Sequence, residues 1–375
     1  MMDSQDKGTA SKMKIVFITS ESMLDHSYTM INELRKAAEL DAYILAKSQT
    51  AELAEYCRRL GVNFVKRLSF SNPFSLLKEI KFFKKLKSHR ADIVWFNRTT
   101  FYQTLIVRFF FRNFLINVHD VELHPEEKDY HGIITQRLIF AFFKKHIAVM
   151  SKTQQGIFEK KYGFKPYLLQ LPVIDYYKEI ADHIDPGAGE DNKVKFFFFG
   201  SVMPYKGIEK LLEAAEMLAA KYDDFSVGIY GKINYNRQEL ESRIRANSKI
   251  TLDNRFIDYK DIATIFSAND VIIIPYIQVS QCGPLLIAYA QNVPVITSSL
   301  PGFREYVDDG QSGFMFSGTP EDLFLKMEQF ILNRNLLNTM KDYISGEITK
   351  KFSMQSLAQS YLNEFRKASG AEKQR

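Results

Sequence analysis

The chain has 375 residues, 46% hydrophobic and 25% charged, with a formal net charge of +6. That composition is globular, not disordered, and the length excludes a single small core and predicts about two domains. The charge is too modest to imply a nucleic-acid partner, and the two cysteines, Cys57 and Cys282, match no metal-ligand spacing and no disulfide framework.

The first residues, "MMDSQDKGTASKMK", are polar and predict a loose tail over 1–12 with no hydrophobic signal core. No run of about eighteen apolar residues predicts a membrane span. From Lys14, "KIVFIT" reads as a strand and "YTMINELRKAAEL" as an amphipathic helix. Then come "AYILA" (strand), "TAELAEYCRRLG" (helix), "NFVKRL" (strand), "LLKEIKFFKKLKSH" (helix) and "DIVWFN" (strand). "FLINVHD" (strand), "ITQRLIFAFFKK" (helix) and "HIAVMS" (strand) complete the first half. Strands alternating with helices predict βαβ units and a parallel sheet.

The polar stretch "DHIDPGAGEDNK", Asp182 to Lys193, reads as an interdomain linker. An N-terminal domain over 13–180, a linker over 181–193 and a C-terminal domain over 194–345 are therefore expected. The pattern restarts with "KFFFFG" (strand), "IEKLLEAAEMLAAKY" (helix) and "FSVGIYG" (strand). "QELESRIRAN" (helix), "ITLDNRFI" (strand), "KDIATIFSAN" (helix), "DVIIIPY" (strand), "CGPLLIAYAQN" (helix) and "VPVITS" (strand) follow. Residues from about Pro320 to Lys367 read as amphipathic helix. The architecture is thus two doubly wound, Rossmann-like α/β domains, with ligands expected in the cleft that the strand ends face.

Two loops carry chemistry. After the four phenylalanines, Gly200 lets the backbone approach a ligand, Lys206 adds a charge, and a helix begins just beyond Gly207. Taken alone, that is also an ordinary strand–loop–helix. The second loop leads from Pro275-Tyr276 through "IQVSQ" to Cys282-Gly283-Pro284. Pro284 suits a first helical turn, so Gly283, Leu285 and Leu286 are expected to offer free backbone N–H groups. "LPGFREYVDDGQSGF" adds a Gly-rich turn with Glu305. Such loops suit a diphosphate. Neither has the GxGxxG or GxxxxGK[ST] pattern, which disfavours dinucleotide hydride transfer and P-loop hydrolysis.

"FFGSVMPYKGIEKLLEA" with "IIIPYIQVSQCGPLLIAYAQNVPVITSSLPGFREYVDDGQSGFMF" resembles the C-terminal domain of family-4 retaining glycosyltransferases of GT-B fold, the glycosyl transferases group 1. Motif order and spacing match from about Val194 to Phe316, and the N-terminal half matches more loosely through "NVHDVELHP". The resemblance implies a nucleotide diphosphate sugar donor held by the C-terminal domain and an acceptor held by the N-terminal one. It implies Lys206 at the donor diphosphate, with Gly200, Ser201, Gln281, Gly283, Pro284 and Leu285 around it. Arg255, Phe256 and Ile257 would face the nucleobase. Transfer with retention is implied, with no required metal or other cofactor, as is a terminal helix within 346–375 that crosses back to the N-terminal domain. Three departures stand out. Ile287 replaces the second of two glutamates common around the Gly loop, the first falling near Ser280. Ser201 stands where an arginine is common. "SESMLDHSYTM" replaces the usual N-terminal Gly-rich loop.

His119 and Asp120 lie at a strand end, where acid/base groups belong, and in the family the matching histidine lies near the reacting sugar. They are the catalytic candidates. His26 and His124 are candidates for the acceptor side. Glu305 reads either as a carboxylate at a helix N-terminus or as a contact to donor hydroxyls. In "NPFSLLKEIKFFKKLKSHR", Lys78, Lys81, Lys84, Lys85, Lys87 and Arg90 oppose only Glu79, with apolar residues interleaved. That is either a solvated helix face or a peripheral contact with an anionic membrane, and no RNA-reading motif accompanies it. The function expected is hexosyl transfer to a lipid-linked glycan acceptor, in polysaccharide synthesis of capsule or O-antigen type, in the cytoplasm at the inner membrane face. The rivals are a nucleotide-sugar epimerase and a non-catalytic sugar- or membrane-binding protein.

Overall fold

The computed structural model describes residues 12–68, 72, 74–122, 130–181 and 193–370. Nearly all of the expected linker, and His124, lie outside the described residues. The first sheet comprises β1 (Lys14–Ser20), β2 (Glu39–Ala46), β3 (Asn63–Lys66), β4 (Ile93–Phe96), β5 (Phe114–Val118), β6 (Ile147–Val149) and β7 (Tyr167–Leu168). Its order is β3-β2-β1-β4-β5-β6-β7. The second comprises β8 (Val194–Phe199), β9 (Phe225–Tyr230), β10 (Ile250–Asp253), β11 (Val271–Ile274), β12 (Val295–Ser298) and β13 (Gly313–Phe316), in the order β10-β9-β8-β11-β12-β13. Every ladder is parallel. Helices cover both faces of such sheets, so their strands are apolar throughout. This is the whole explanation of the phenylalanine run: Phe196, Phe197 and Phe198 are buried in the core.

Strand order reverses between β1 and β4 in one sheet and between β8 and β11 in the other. Those are the switch points where doubly wound sheets open a crevice. Two Rossmann-like domains are therefore borne out.

Local structure differs from the sequence reading at several places, among them the helix Lys152–Tyr162 and strand β7, neither of which was expected. The first helix spans Leu24–Ala37, because Ala38 turns extended and the Glu39 N–H bonds to the Met13 carbonyl at 2.9 Å, starting β2. "ITLDNRFI" stays a strand only to Asp253. A helix at Phe101–Phe110 was not expected, since aromatic and β-branched residues on all sides blur its period. Its signal is the capping box of Thr100 and Gln103. The short strand β13 was hidden in the Gly-rich turn.

The C-terminal helices are Pro320–Leu332, Asn335–Tyr343 and Met354–Ser369, with a π-helical turn at Ile344–Ile348. The last helix lies on the first sheet. Phe365 packs on Trp95 with centroids 5.3 Å apart, and the Tyr361 hydroxyl donates to the Gln170 carbonyl at 2.9 Å. No helix among the described residues is long and apolar enough to cross a membrane.

Candidate active site

Each switch point supplies one wall of a cleft. On the C-terminal side, β8 ends in Gly200, whose φ of +108° suits glycine, and the following turn returns Lys206 beside it. A Cβ on Gly200 would sit 3.2 Å from Lys206 Nζ. Gly207, at φ +62°, ends the turn with no room for a side chain, since a Cβ there would stand 2.3 Å from the Pro275 carbonyl oxygen. The Ile277 N–H donates to the Tyr205 carbonyl at 2.8 Å, tying this loop to the one after β11. The sheet thus brings together two loops some seventy residues apart.

Lys206 is mostly buried, which lowers its pKa. Its ammonium lies over the Tyr276 ring, 5.4 Å from the centroid, and pairs with no carboxylate among the described residues. A desolvated cation without a counter-charge is costly, and a bound anion would relieve it. Cys282 lies nearby, with burial pushing its thiol up to about 11. It precedes the helix Gly283–Ala290, and Pro284 stands in its first turn as expected. One expectation fails: the Leu286 N–H is not free but donates to the Cys282 carbonyl at 3.3 Å. The Leu285 and Ile287 side chains are buried in the core.

On the N-terminal side, buried polar residues sit at three adjacent strand ends. Thr19 of β1 bonds Ser27, Asn97 after β4 donates to Thr19, and Asn117 of β5 donates to Asn97 Oδ1 at 2.9 Å. The Trp95 indole donates to Asn117 Oδ1 at 2.9 Å. This chain holds the Asn97 carbonyl against His119 Nε2, 2.9 Å away. The other ring nitrogen, Nδ1, faces Gln281 Oε1 at 3.4 Å, and Gln281 Nε2 donates to the His119 carbonyl at 3.1 Å. Burial lowers the His119 pKa; the Asn97 and Gln281 oxygens and nearby Asp120 oppose that less strongly, and His26 adds to it.

A cavity of about 620 Å³ separates the walls. His26, His119, Asp120, Gln281, Gly283 and Tyr205 line it. A Cβ on Gly283 would lie 4.0 Å from His26 Nε2, so the first helix faces the loop across the cleft. His26 Nδ1 is buried without a hydrogen-bond partner among the described residues.

Other candidates stand apart. Ser201 is exposed. Arg255 is held by Asp253 at 3.0 Å and Asp261 at 2.7 Å, Phe256 is 76% exposed, and Ile257 is buried in the core. None of the three lines the cavity, and neither do Gly200, Ser201, Lys206, Pro284 or Leu285; on the C-terminal side Tyr205, Gln281 and Gly283 line it. Glu305 reaches across the domain boundary instead: its carboxylate accepts from the Lys152 N–H at 2.8 Å and from the Thr153 N–H, capping the helix Lys152–Tyr162. With both oxygens taken there, it does not contact the cavity. The polar residues Thr19, Asn97 and Asn117, and the cavity residues Arg67 and Arg98, were not singled out in the sequence. The available signal was a polar residue closing each apolar strand, as in "KIVFIT" and "DIVWFN".

Residues 193–333 match the family model described as glycosyl transferases group 1. The O-antigen chain mannosyltransferase RfbU of Salmonella typhimurium is 22% identical over 304 residues, covering 77% of this chain and 81% of that one. Among solved structures, a glycosyltransferase from Rickettsia africae superposes with a TM-score of 0.71 at 18% identity, covering 96% of this chain and 99% of the other. Anabaena Alr3699/HepE, solved in complex with UDP-glucose, gives 0.67 at 15% identity, covering 97% and 100%. The resemblance to group 1 glycosyltransferases is thereby borne out, and the two-domain frame is the GT-B fold.

Proposed function

We propose that this GT-B glycosyltransferase moves a hexosyl unit from a nucleotide diphosphate sugar to a glycan acceptor, with retention of configuration. The observation that carries the reading is the meeting of Tyr205, the neighbour of Lys206, and the Gly283–Ala290 helix start on one wall with His119 on the other. The named relatives, one an O-antigen mannosyltransferase and one holding UDP-glucose, support the donor class and the place in glycan synthesis.

In this reading the donor diphosphate lies between Lys206 and the helix start, where a fixed cation and the helix dipole stabilise the charge of the departing phosphate without a metal. The bond between the sugar's anomeric carbon and the diphosphate oxygen breaks. A bond to the acceptor hydroxyl oxygen forms on the same face, and the hydroxyl proton passes to the leaving phosphate. His119 contacts the transferred sugar through Nδ1, displacing the long Gln281 contact. Asp120 and His26 face the acceptor. The segment Arg255–Ile257 would reach the nucleobase only through a change at that loop. Glu305 serves domain coupling in place of donor contact.

The acceptor is proposed to be lipid-linked, at the cytoplasmic face of the membrane. The helices Ser75–Lys87, Phe101–Phe110 and Tyr130–Phe142 lie side by side. They or their flanks carry six of the twelve large exposed hydrophobic side chains among the described residues: Phe74, Leu77, Leu105, Phe109, Ile134 and Phe142. Exposed Lys81, Lys84, Lys85 and Arg108 surround them. The last two helices also wall the cavity through Thr100, Phe101, Thr135 and Ile139. A membrane contact there would present a lipid-linked acceptor to the site.

A non-catalytic sugar-binding role is favoured by one observation: Ile287 is buried in the core and offers a ribose nothing. Incubation with a panel of nucleotide sugars separates the two. Transfer, or slow donor hydrolysis insensitive to EDTA, supports the enzyme; donor binding without either supports the binding protein.

A further inference from the structure

The cavity's acceptor wall carries two cations that no assigned role uses. Arg67 follows β3 and Arg98 follows β4, and both line the cavity. The Arg67 main chain is held by its backbone N–H, which donates to the Ala46 carbonyl at 2.7 Å. Neither guanidinium forms an ion pair among the described residues. Arg67 acts on Glu79 electrostatically, but Glu79 is engaged by Gln103 Nε2 at 3.0 Å, and burial outweighs that attraction and pushes its carboxyl up toward the neutral form. Asp120 is the one carboxylate on the cavity wall among the described residues. The helix Phe101–Phe110 starts at this wall too, with its positive end toward the cavity through Thr99 and Thr100.

Two strands, β2 and β1, lie between β3 and β4, so the two backbones stand roughly 14 Å apart at the sheet. Two arginines reaching inward from that distance converge on an extended anion better than on a single carboxylate. Guanidinium forks match phosphate oxygens in pairs. Ion-paired arginines on a solvated surface would be the ordinary case; two arginines with no ion pair among the described residues, on the wall of one cavity, are not.

We propose that Arg67 and Arg98 form an anion subsite that binds a phosphate or diphosphate ester on the acceptor, separate from the donor diphosphate site at Lys206. The proposal rests on the glycosyltransferase reading for the word acceptor, but the subsite itself does not. A phosphate ester of this kind could belong to a lipid carrier or to a soluble phosphorylated sugar.

Calorimetric titration of the full chain with inorganic pyrophosphate tests it. Two binding events are expected in the wild type. Arg67→Gln with Arg98→Gln should weaken one at least tenfold and leave the other, whereas Lys206→Ala should do the reverse. Both arginines are exposed, so the double variant should fold, and an unchanged thermal midpoint would verify that. Arg67→Lys with Arg98→Lys should retain part of the binding. A single event, insensitive to the arginine changes but lost in Lys206→Ala, overturns the subsite and leaves the donor reading standing. Loss in the arginine variant with no effect of Lys206→Ala leaves the subsite and sinks the donor reading. Farnesyl diphosphate in detergent and glucose 1-phosphate in solution then separate the sources. Tighter arginine-dependent binding of the former assigns a lipid carrier, and of the latter a soluble phosphorylated sugar; arginine-independent binding of both overturns the proposal.

Discussion

Gln281 holds His119 from across the domain boundary, donating to its backbone carbonyl at 3.1 Å while its side-chain oxygen lies 3.4 Å from Nδ1. The two residues are 162 positions apart, and their contact makes the geometry of the histidine depend on the closure of the cleft. Gln281→Ala removes the bond to the His119 carbonyl, worth about 1 kcal/mol, so turnover should fall about fivefold. Gln281→Glu should instead place a carboxylate beside the imidazole and raise its pKa, moving the acid limb of the pH–rate profile upward. A profile identical to wild type in Gln281→Glu would show that the contact does not govern His119.

His119 makes stability pH-dependent. Burial lowers its folded pKa below the ordinary value of 6.5, so the unfolded chain takes up a proton that the folded chain refuses. Its contribution is therefore fully present above about pH 6.5 and is lost as pH falls toward the folded pKa, with a slope near 1.4 kcal/mol per pH unit. His146 is shifted the same way by burial and adds to the trend. Denaturant unfolding from pH 7.5 to 5 should show a shallower decline in His119→Asn than in wild type; parallel curves would count against it.

Glu305 joins the domains by capping a helix that lies in the other one. Glu305→Ala should cost about 1–2 kcal/mol and Glu305→Gln less, because an amide oxygen still accepts without the charge. If Glu305 acted on donor hydroxyls instead, both changes would reduce donor affinity and leave stability alone.

Gly207 cannot carry a side chain. Beyond the positive φ, a Cβ would meet the Pro275 carbonyl oxygen at 2.3 Å, backbone against backbone. Gly207→Ala should cost about 1–3 kcal/mol and displace Lys206 with it. Retention of both the unfolding midpoint and donor affinity would contradict the assigned geometry.

The basic, apolar helix face should bind vesicles containing anionic lipid. Each lysine near such a surface is worth about 1 kcal/mol, so Lys84→Glu with Lys85→Glu should reduce sedimentation with the vesicles more than tenfold. Phe109, 82% exposed, makes a second probe through Phe109→Asp. Equal sedimentation of all three proteins would remove the membrane contact.

Much of the frame was legible from the sequence, because alternation of apolar strands with amphipathic helices is a local signal, as in the phenylalanine run before Gly200. The loop after β8 was legible for the same reason: Gly200, Lys206 and Gly207 lie within eight residues. What was hidden depends on distant pairings. Glu305 looked like a carboxylate near its own short helix, yet the N–H groups it caps belong to Lys152 and Thr153. Arg67 and Arg98 were two charges among many until the order β3-β2-β1-β4 set both on one cavity. Arg255 was assigned to the nucleobase by analogy, whereas its charge is held by two adjacent aspartates.

The most direct measurement is calorimetric binding of nucleoside diphosphate sugars to the wild type and to Lys206→Ala. At least one donor should bind the wild type, and the variant should lose tenfold to a hundredfold in affinity, as expected for removing a charge-assisted contact worth about 1.5–3 kcal/mol. Equal affinity in the two proteins, or no binding by the wild type to any donor, would contradict the donor site placed at Lys206.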